Sequence, residues 1–228
     1  MGLGMVSAAI RDRLTIQRIV DRRITAIETP ARPDYWFGHG YRLAFTPTAK
    51  DLTELRAHGR RQFGAIPGIE KFTIVWENDV AGQAEDLRHE KIEETNVLVF
   101  RTDRRGRREP AVSPIRSDDD WRAVERLMSE EIDTRLGDFT RWVARRHRDA
   151  VADGRALFYG TLVRERGRGL FGLCLQSLCA DAAARGIERI VLEAAPLGYQ
   201  ERMYLRLGAQ AVSRVHADIV VARDGEAS

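Results

Sequence analysis

The sequence is poor in cysteine, in lysine and in long apolar runs. Among 228 residues only Cys174 and Cys179 are cysteines. They stand five apart on an expected helix, a spacing that suits neither a metal site nor a CxxC redox pair, so both read as small core residues. No apolar run nears the roughly 20 residues that a membrane helix needs. The opening stretch "MGLGMVSAAIRDRLTIQRIVDRR" has a short apolar part and no cleavage pattern, which argues against a secretory signal. Val6 stands where a myristoylation signal requires Ser or Thr. No membrane partner is expected, and the chain reads as cytoplasmic.

Lysine is confined to Lys50, Lys71 and Lys91 among 37 basic residues, and the rest are arginine. The net charge of +3 is modest, so charge alone gives little ground for a nucleic-acid partner. What the chain does have is enough apolar residues, 43%, to fill a core, with 31% charged residues to cover it.

Apolar periodicity sets out the elements. Ile16, Val20, Ile24 and Ile27 recur at helical spacing, which predicts an N-terminal helix within residues 1–33, ended by Pro30 and Pro33. Strands are expected at Tyr41–Phe45, Lys71–Glu77 and Thr95–Thr102, with helices between them, the first capped by Thr48 or Thr46. These make an N-terminal domain over 34–102. The stretch 103–112, within "RTDRRGRREPAVSP", is arginine-rich and broken by Gly and Pro, and reads as a linker.

A second domain is expected over 113–224. Ser117 and the acids after it suit a helix N-terminus, and Gly154 closes a further helix. "RALFYGTLV" reads as a strand, and a long helix runs to Arg185-Gly186. "ERIVLEAA" is a buried-type strand, "GYQERMYLRLG" a short helix, and "AQAVSRVHADIVVA" supplies the last strands. His147 reads as solvated and His216 as exposed, while Trp36, Trp76, Trp121 and Trp142 read as core. Strands and helices alternate irregularly, so the class is α+β, a mixed α/β sheet flanked by helices.

The chemistry gathers at "RERGRGLFG", Arg164 to Gly172. A helix starting near Leu170 leaves its first N–H groups without intrahelical partners. Gly167, Gly169 and Gly172 let a ligand approach the backbone, and Arg164, Arg166 and Arg168 add charge to the helix dipole. Such a place holds phosphate. It is not a Walker loop, since no Gly-Lys-Ser/Thr follows. Gly167 to Gly172 does match the dinucleotide pattern GxGxxG, with Glu193 as the one acid able to meet a ribose, and that alternative stays open.

"RGRGLFGLCLQSLCADAAARGIERIVLEAA", followed by "MYLRLGA" at Met203 to Ala209, resembles the acetyl-CoA-binding segment and the LYxxxGF element of the GNAT (GCN5-related) N-acetyltransferases. The first half is similar to the partial GNAT-like halves of tandem members. The resemblance implies acetyl-CoA as co-substrate, with its pyrophosphate at Arg166, Gly167, Arg168, Gly169, Leu170 and Gly172. It implies Tyr204 as the general acid for the departing thiolate, and a primary amine of unknown identity as acceptor. Glu193 is the available base.

The sequence departs from the family at Phe171, where a small residue is usual. Gly154 to Arg164 also has room for about one strand where three are usual, so the second sheet is expected to be short by a hairpin. That edge could pair with a second copy, giving a homodimer. Two other readings stay open: a GNAT-like scaffold without catalysis, and a nucleic-acid binder using the arginine-rich segments.

Overall fold

The computed structural model describes residues 16–78, 87, 91–102, 112–131, 137–153, 159–160 and 170–223. Contacts divide the chain into two units, one of residues 1–100 with 191–228 and one of residues 101–190.

The first unit opens with strands β1 (Ile16–Ile19) and β2 (Ile24–Glu28). They form an antiparallel hairpin where the sequence predicts one helix. The cause lies in "VDRRIT". The Asp21 carboxylate accepts from the N–H groups of Arg23 and Ile24 at 2.6 and 2.8 Å, which turns the chain back. Ile16, Ile19, Ile24 and Thr25, branched at Cβ, then favour strands.

A strand–helix–strand unit follows: β3 (Gly40–Leu43), α1 (Ala49–Phe63) and β4 (Lys71–Asn78), with β3 and β4 parallel. Thr48 and Asp51 form a capping box at the start of α1. Those bonds to Thr48 hold the Asp51 carboxyl below its ordinary range. Phe72, Ile74 and Trp76 alternate along β4 and are fully buried with Tyr41, Leu52 and Phe63. Burial of each large side chain stabilises the fold by about 1.5–3 kcal/mol. Gly59 is what lets α1 lie this close, because a Cβ there would meet the Phe72 ring at 2.3 Å.

Strand β5 (Ile92–Arg101) follows. The second unit then holds a short antiparallel pair, β6 (Ser113–Pro114) with β7 (Tyr159–Gly160), and helices α2 (Asp118–Glu131), α3 (Gly137–Ala152) and α4 (Leu170–Ala184). Trp121 and Ala144 are buried, and Arg148 of α3 pairs with Asp118 of α2 at 2.6 Å. The strand expected over "RALFYGTLV" is described only at Tyr159–Gly160, and the expected loss of a hairpin there lies outside the described residues. So do the arginine-rich stretch 103–111 and the helix expected after β4, apart from the buried Leu87 and the residues from 91 on.

The chain ends with β8 (Arg189–Ala194), α5 (Tyr199–Arg206) and β9 (Gln210–Val221). The main sheet has seven strands in the order β1-β2-β3-β4-β9-β5-β8. Strand β9 lies between β4 and β5 and is antiparallel to both. Residues 191–228, which carry α5, β9 and most of β8, fall in the first unit, while 113–224 read as one domain in the sequence. With five α-helices among the described residues, the fold is α+β with a mixed sheet.

The central place of β9 also corrects the reading of His216. It is 1% exposed, on the face of β9 that also buries Asp218 and Val220, with its ring against the buried Trp76. His147 is half-buried, and burial holds its imidazole below the ordinary range, helped by Arg146. Cys179 is buried and Cys174 half-buried, and burial pushes both thiols up, as befits core residues.

Candidate active site

Helix α4 begins at Leu170, with Gly172 in its first turn. Arg166, Gly167, Arg168 and Gly169 lie outside the described residues. The start of α4 differs from that of the other helices. Asp51 stands in the first turn of α1, Asp118 to Asp120 in that of α2, Asp138 in that of α3 and Glu201 in that of α5. The first turn of α4 has no acid. A carboxylate there competes with any outside anion for the helix N–H groups and the dipole. At Gly172, a Cβ would meet nothing within 4 Å. Packing among the described residues therefore does not ask for glycine, although glycine costs about 1 kcal/mol in a helix relative to alanine.

Leu170 and Gly172 belong to the second unit, Glu193 and Tyr204 to the first. Glu193 is half-buried on β8. Tyr204 is 8% exposed on α5. Burial pushes its phenol above the ordinary value, so it carries its proton at neutral pH. The backbone behind it is fixed by Gly208, at φ +96°, which lets the Ala209 N–H reach the Tyr204 carbonyl at 3.0 Å.

The structure adds a polar chain that periodicity does not reveal. Glu201 is buried one turn before Tyr204. It accepts from the Asn96 side chain on β5 and, at 2.5 Å, from the Leu197 N–H. Asn96 in turn accepts from Arg214 Nε at 2.8 Å, and Arg214 Nη1 donates to Glu94 at 2.8 Å. His216 follows, its Nε2 2.6 Å from the Asn78 amide oxygen and its Nδ1 3.5 Å from Glu94. This chain ties α5, and with it Tyr204, to three strands. Its one sequence signal is an acid three residues after Gly198, the usual place for a carboxylate in a helix's first turn.

Leu197, just before α5, has φ +59° and is 83% exposed. A branched residue in this left-handed conformation stores strain of order 1 kcal/mol or more, and here the Glu201 carboxylate holds its N–H. Among the described residues no group of His, Cys, Asp and Glu is arranged to hold a metal ion. No described helix is long and apolar enough to cross a membrane.

No family model matches the sequence, and no curated protein matches it. Solved structures do. A functionally unknown conserved protein from Staphylococcus epidermidis ATCC 12228 is similar with a TM-score of 0.63 and 11% identity, over 91% of this chain and 94% of that one. A GCN5-related N-acetyltransferase from Kribbella flavida is similar with a TM-score of 0.54 and 16% identity, over 95% of both chains. Another from Sphaerobacter thermophilus has a TM-score of 0.53 and 14% identity, over 91% of this chain and 83% of that one. The chain has the fold of the GCN5-related N-acetyltransferases.

Proposed function

We propose that the chain is an N-acyltransferase that moves an acetyl group from acetyl-CoA to a primary amine. The observation that carries this reading is the start of α4. It alone among the described α-helices has no acid in its first turn, and it follows the segment Arg164 to Gly169. The N–H groups from Arg166 to Leu170, with the arginine charges, suit a pyrophosphate, and Gly172 keeps side-chain bulk away.

The co-substrate supplies an activated acyl thioester. Tyr204, neutral and buried, holds a proton for the sulfur that leaves as the C–S bond breaks. The acceptor nitrogen forms the new bond to the carbonyl carbon and must lose a proton, because amines are charged at neutral pH. Glu193 on β8 is the candidate to take it, directly or through water. Glu201, Asn96 and Arg214 hold α5 against the sheet and so fix where the Tyr204 hydroxyl stands.

The test is acetyl-CoA binding to the wild type and to Gly169→Glu, which puts bulk and negative charge in the cradle. About 1 mM acetyl-CoA is expected to raise the wild-type melting temperature and to leave the variant unmoved. No shift in the wild type sinks the reading. Thiol release across a panel of amines then tests the transfer itself, and stabilisation without any release favours the scaffold alternative.

A further inference from the structure

One unassigned feature among the described residues of the first unit is an open groove of about 250 Å³ beside α1. Val20, Ile24, Phe45 and Leu55 make its apolar walls, and Asp51, Glu54, His58 and Tyr41 supply its polar groups. It uses nothing of helix α4, so it stands whether or not the chain binds an acyl-CoA.

A directional hydrogen-bond chain sets the chemistry of His58. The Glu28 carboxylate only accepts, so the Gln62 amide turns its Nε2 toward Glu28, at 3.0 Å. The Gln62 oxygen then faces Tyr41 and takes the phenol's single proton at 2.8 Å. The Tyr41 oxygen lies 2.5 Å from His58 Nδ1 and has no second proton to give. His58 Nδ1 must therefore be the donor in that bond. In the neutral ring this leaves Nε2 as an acceptor.

The other polar groups that line the groove are acceptors as well, and Arg23, its guanidinium 3.9 Å from the centroid of the Phe45 ring, is an arginine beside them. Asp51 uses Oδ2 for Thr48, which leaves Oδ1 to accept. Glu54 meets Lys50 only at 3.9 Å, with both side chains largely exposed, an ion pair that contributes little and yields readily. Tyr41 has already committed its proton. Apolar walls with acceptors and carboxylates suit a ligand that has an aliphatic body and a donating, positively charged end.

We propose that this groove binds a small primary alkylammonium ion, with its chain against Ile24, Phe45 and Leu55 and its N–H groups on Glu54, Asp51 and His58 Nε2. The volume fits a chain of about six carbons.

The probe is n-hexylamine, compared with 1-hexanol and hexanoate by calorimetric titration of the whole chain. Saturable n-hexylamine binding is expected, with 1-hexanol at least about tenfold weaker and hexanoate not binding. His58→Phe and Glu54→Gln, both at exposed positions of α1, are each expected to weaken n-hexylamine about tenfold while leaving 1-hexanol unchanged. Val20→Arg places a cation at the mouth from a residue that is 53% exposed, and is expected to remove n-hexylamine binding without touching the core. The proposal falls if n-hexylamine fails to saturate by about 10 mM. It also falls if hexanoate binds as tightly, or if the three variants bind n-hexylamine like the wild type.

Discussion

His216 lies flat against Trp76, with ring centroids 5.3 Å apart and planes 9° from parallel. The imidazole is buried, and its Nδ1 faces Glu94 without a hydrogen bond. Burial holds this histidine below its ordinary value; Glu94 opposes that shift and Arg214 adds to it. In the unfolded chain the same group titrates near 6.5, so between the two values the unfolded state binds more protons and stability rises with pH. The histidine's contribution is therefore present above about pH 6.5 and is lost as pH falls toward the folded value. Urea midpoints at about pH 7.5 and pH 5.5 should differ less for His216→Phe than for the wild type. His39 and His147 are lowered by burial too, so the slope should shrink rather than vanish. An unchanged slope would show that His216 is not part of it.

Glu201 and Asn96 are the joint between α5 and the sheet. Glu201→Ala leaves the Asn96 amide and the Leu197 N–H without this partner, and a buried group left so costs about 1–3 kcal/mol. The expected loss is about 2–4 kcal/mol, since a buried carboxylate and two bonds go together. Asn96→Ala should cost less once Glu201 is gone, with a coupling of about 0.5–3 kcal/mol in the double-mutant cycle. Strict additivity in chemical denaturation would mean that the two residues act separately.

Tyr204→Phe separates the catalytic reading from packing. The ring stays in place, only the hydroxyl goes, and acetyl-CoA binding should persist. Thiol release should fall by about 10²–10⁴-fold if the phenol supplies the proton. Gly172→Ala makes the complementary case. It should stabilise α4 by about 0.5–1 kcal/mol, because nothing within 4 Å opposes the new methyl, and it should weaken acetyl-CoA binding. A variant that gains stability and binds acetyl-CoA as before removes Gly172 from the site.

The legible parts of this fold were those where pattern and local chemistry agree. Phe72, Ile74 and Trp76 alternate along β4, and Thr48 is one of the two caps that the sequence offers for α1; its capping box with Asp51 is seen in the structure. The hairpin was not legible, because Ile16, Val20, Ile24 and Ile27 satisfy a helical period while Asp21 silently sets a turn. Nor was the place of β9. Its alternation is that of any strand, and its position between β4 and β5 depends on pairing across more than a hundred residues. Without that pairing, which sets His216 opposite Trp76, its burial could not be read. Tyr204 and Glu193 could be named from a motif, whereas Glu201 and Asn96 meet only in three dimensions. His58 was missed because an exposed helical histidine has no signal until its partners, Tyr41 and Gln62, are seen.

Gly59 and Gly208 are predicted to fail for different reasons when replaced by alanine. Gly208 sits at φ +96° with open space around it, so alanine there meets no atom and suffers only backbone strain. The expected cost is about 1–2 kcal/mol, and no second substitution should relieve it. Gly59 has ordinary helical backbone, where alanine alone would gain about 1 kcal/mol. Its new methyl, however, would stand 2.3 Å from the Phe72 ring in the core. Overpacking of that kind costs about 1–3 kcal/mol and outweighs the gain. Phe72→Leu, destabilising by itself, should therefore cost less in the Gly59→Ala background than in the wild type, because the smaller side chain makes room for the methyl. Urea denaturation of the four chains reads this directly. Equal costs in the two backgrounds would mean that α1 moves away from β4 instead.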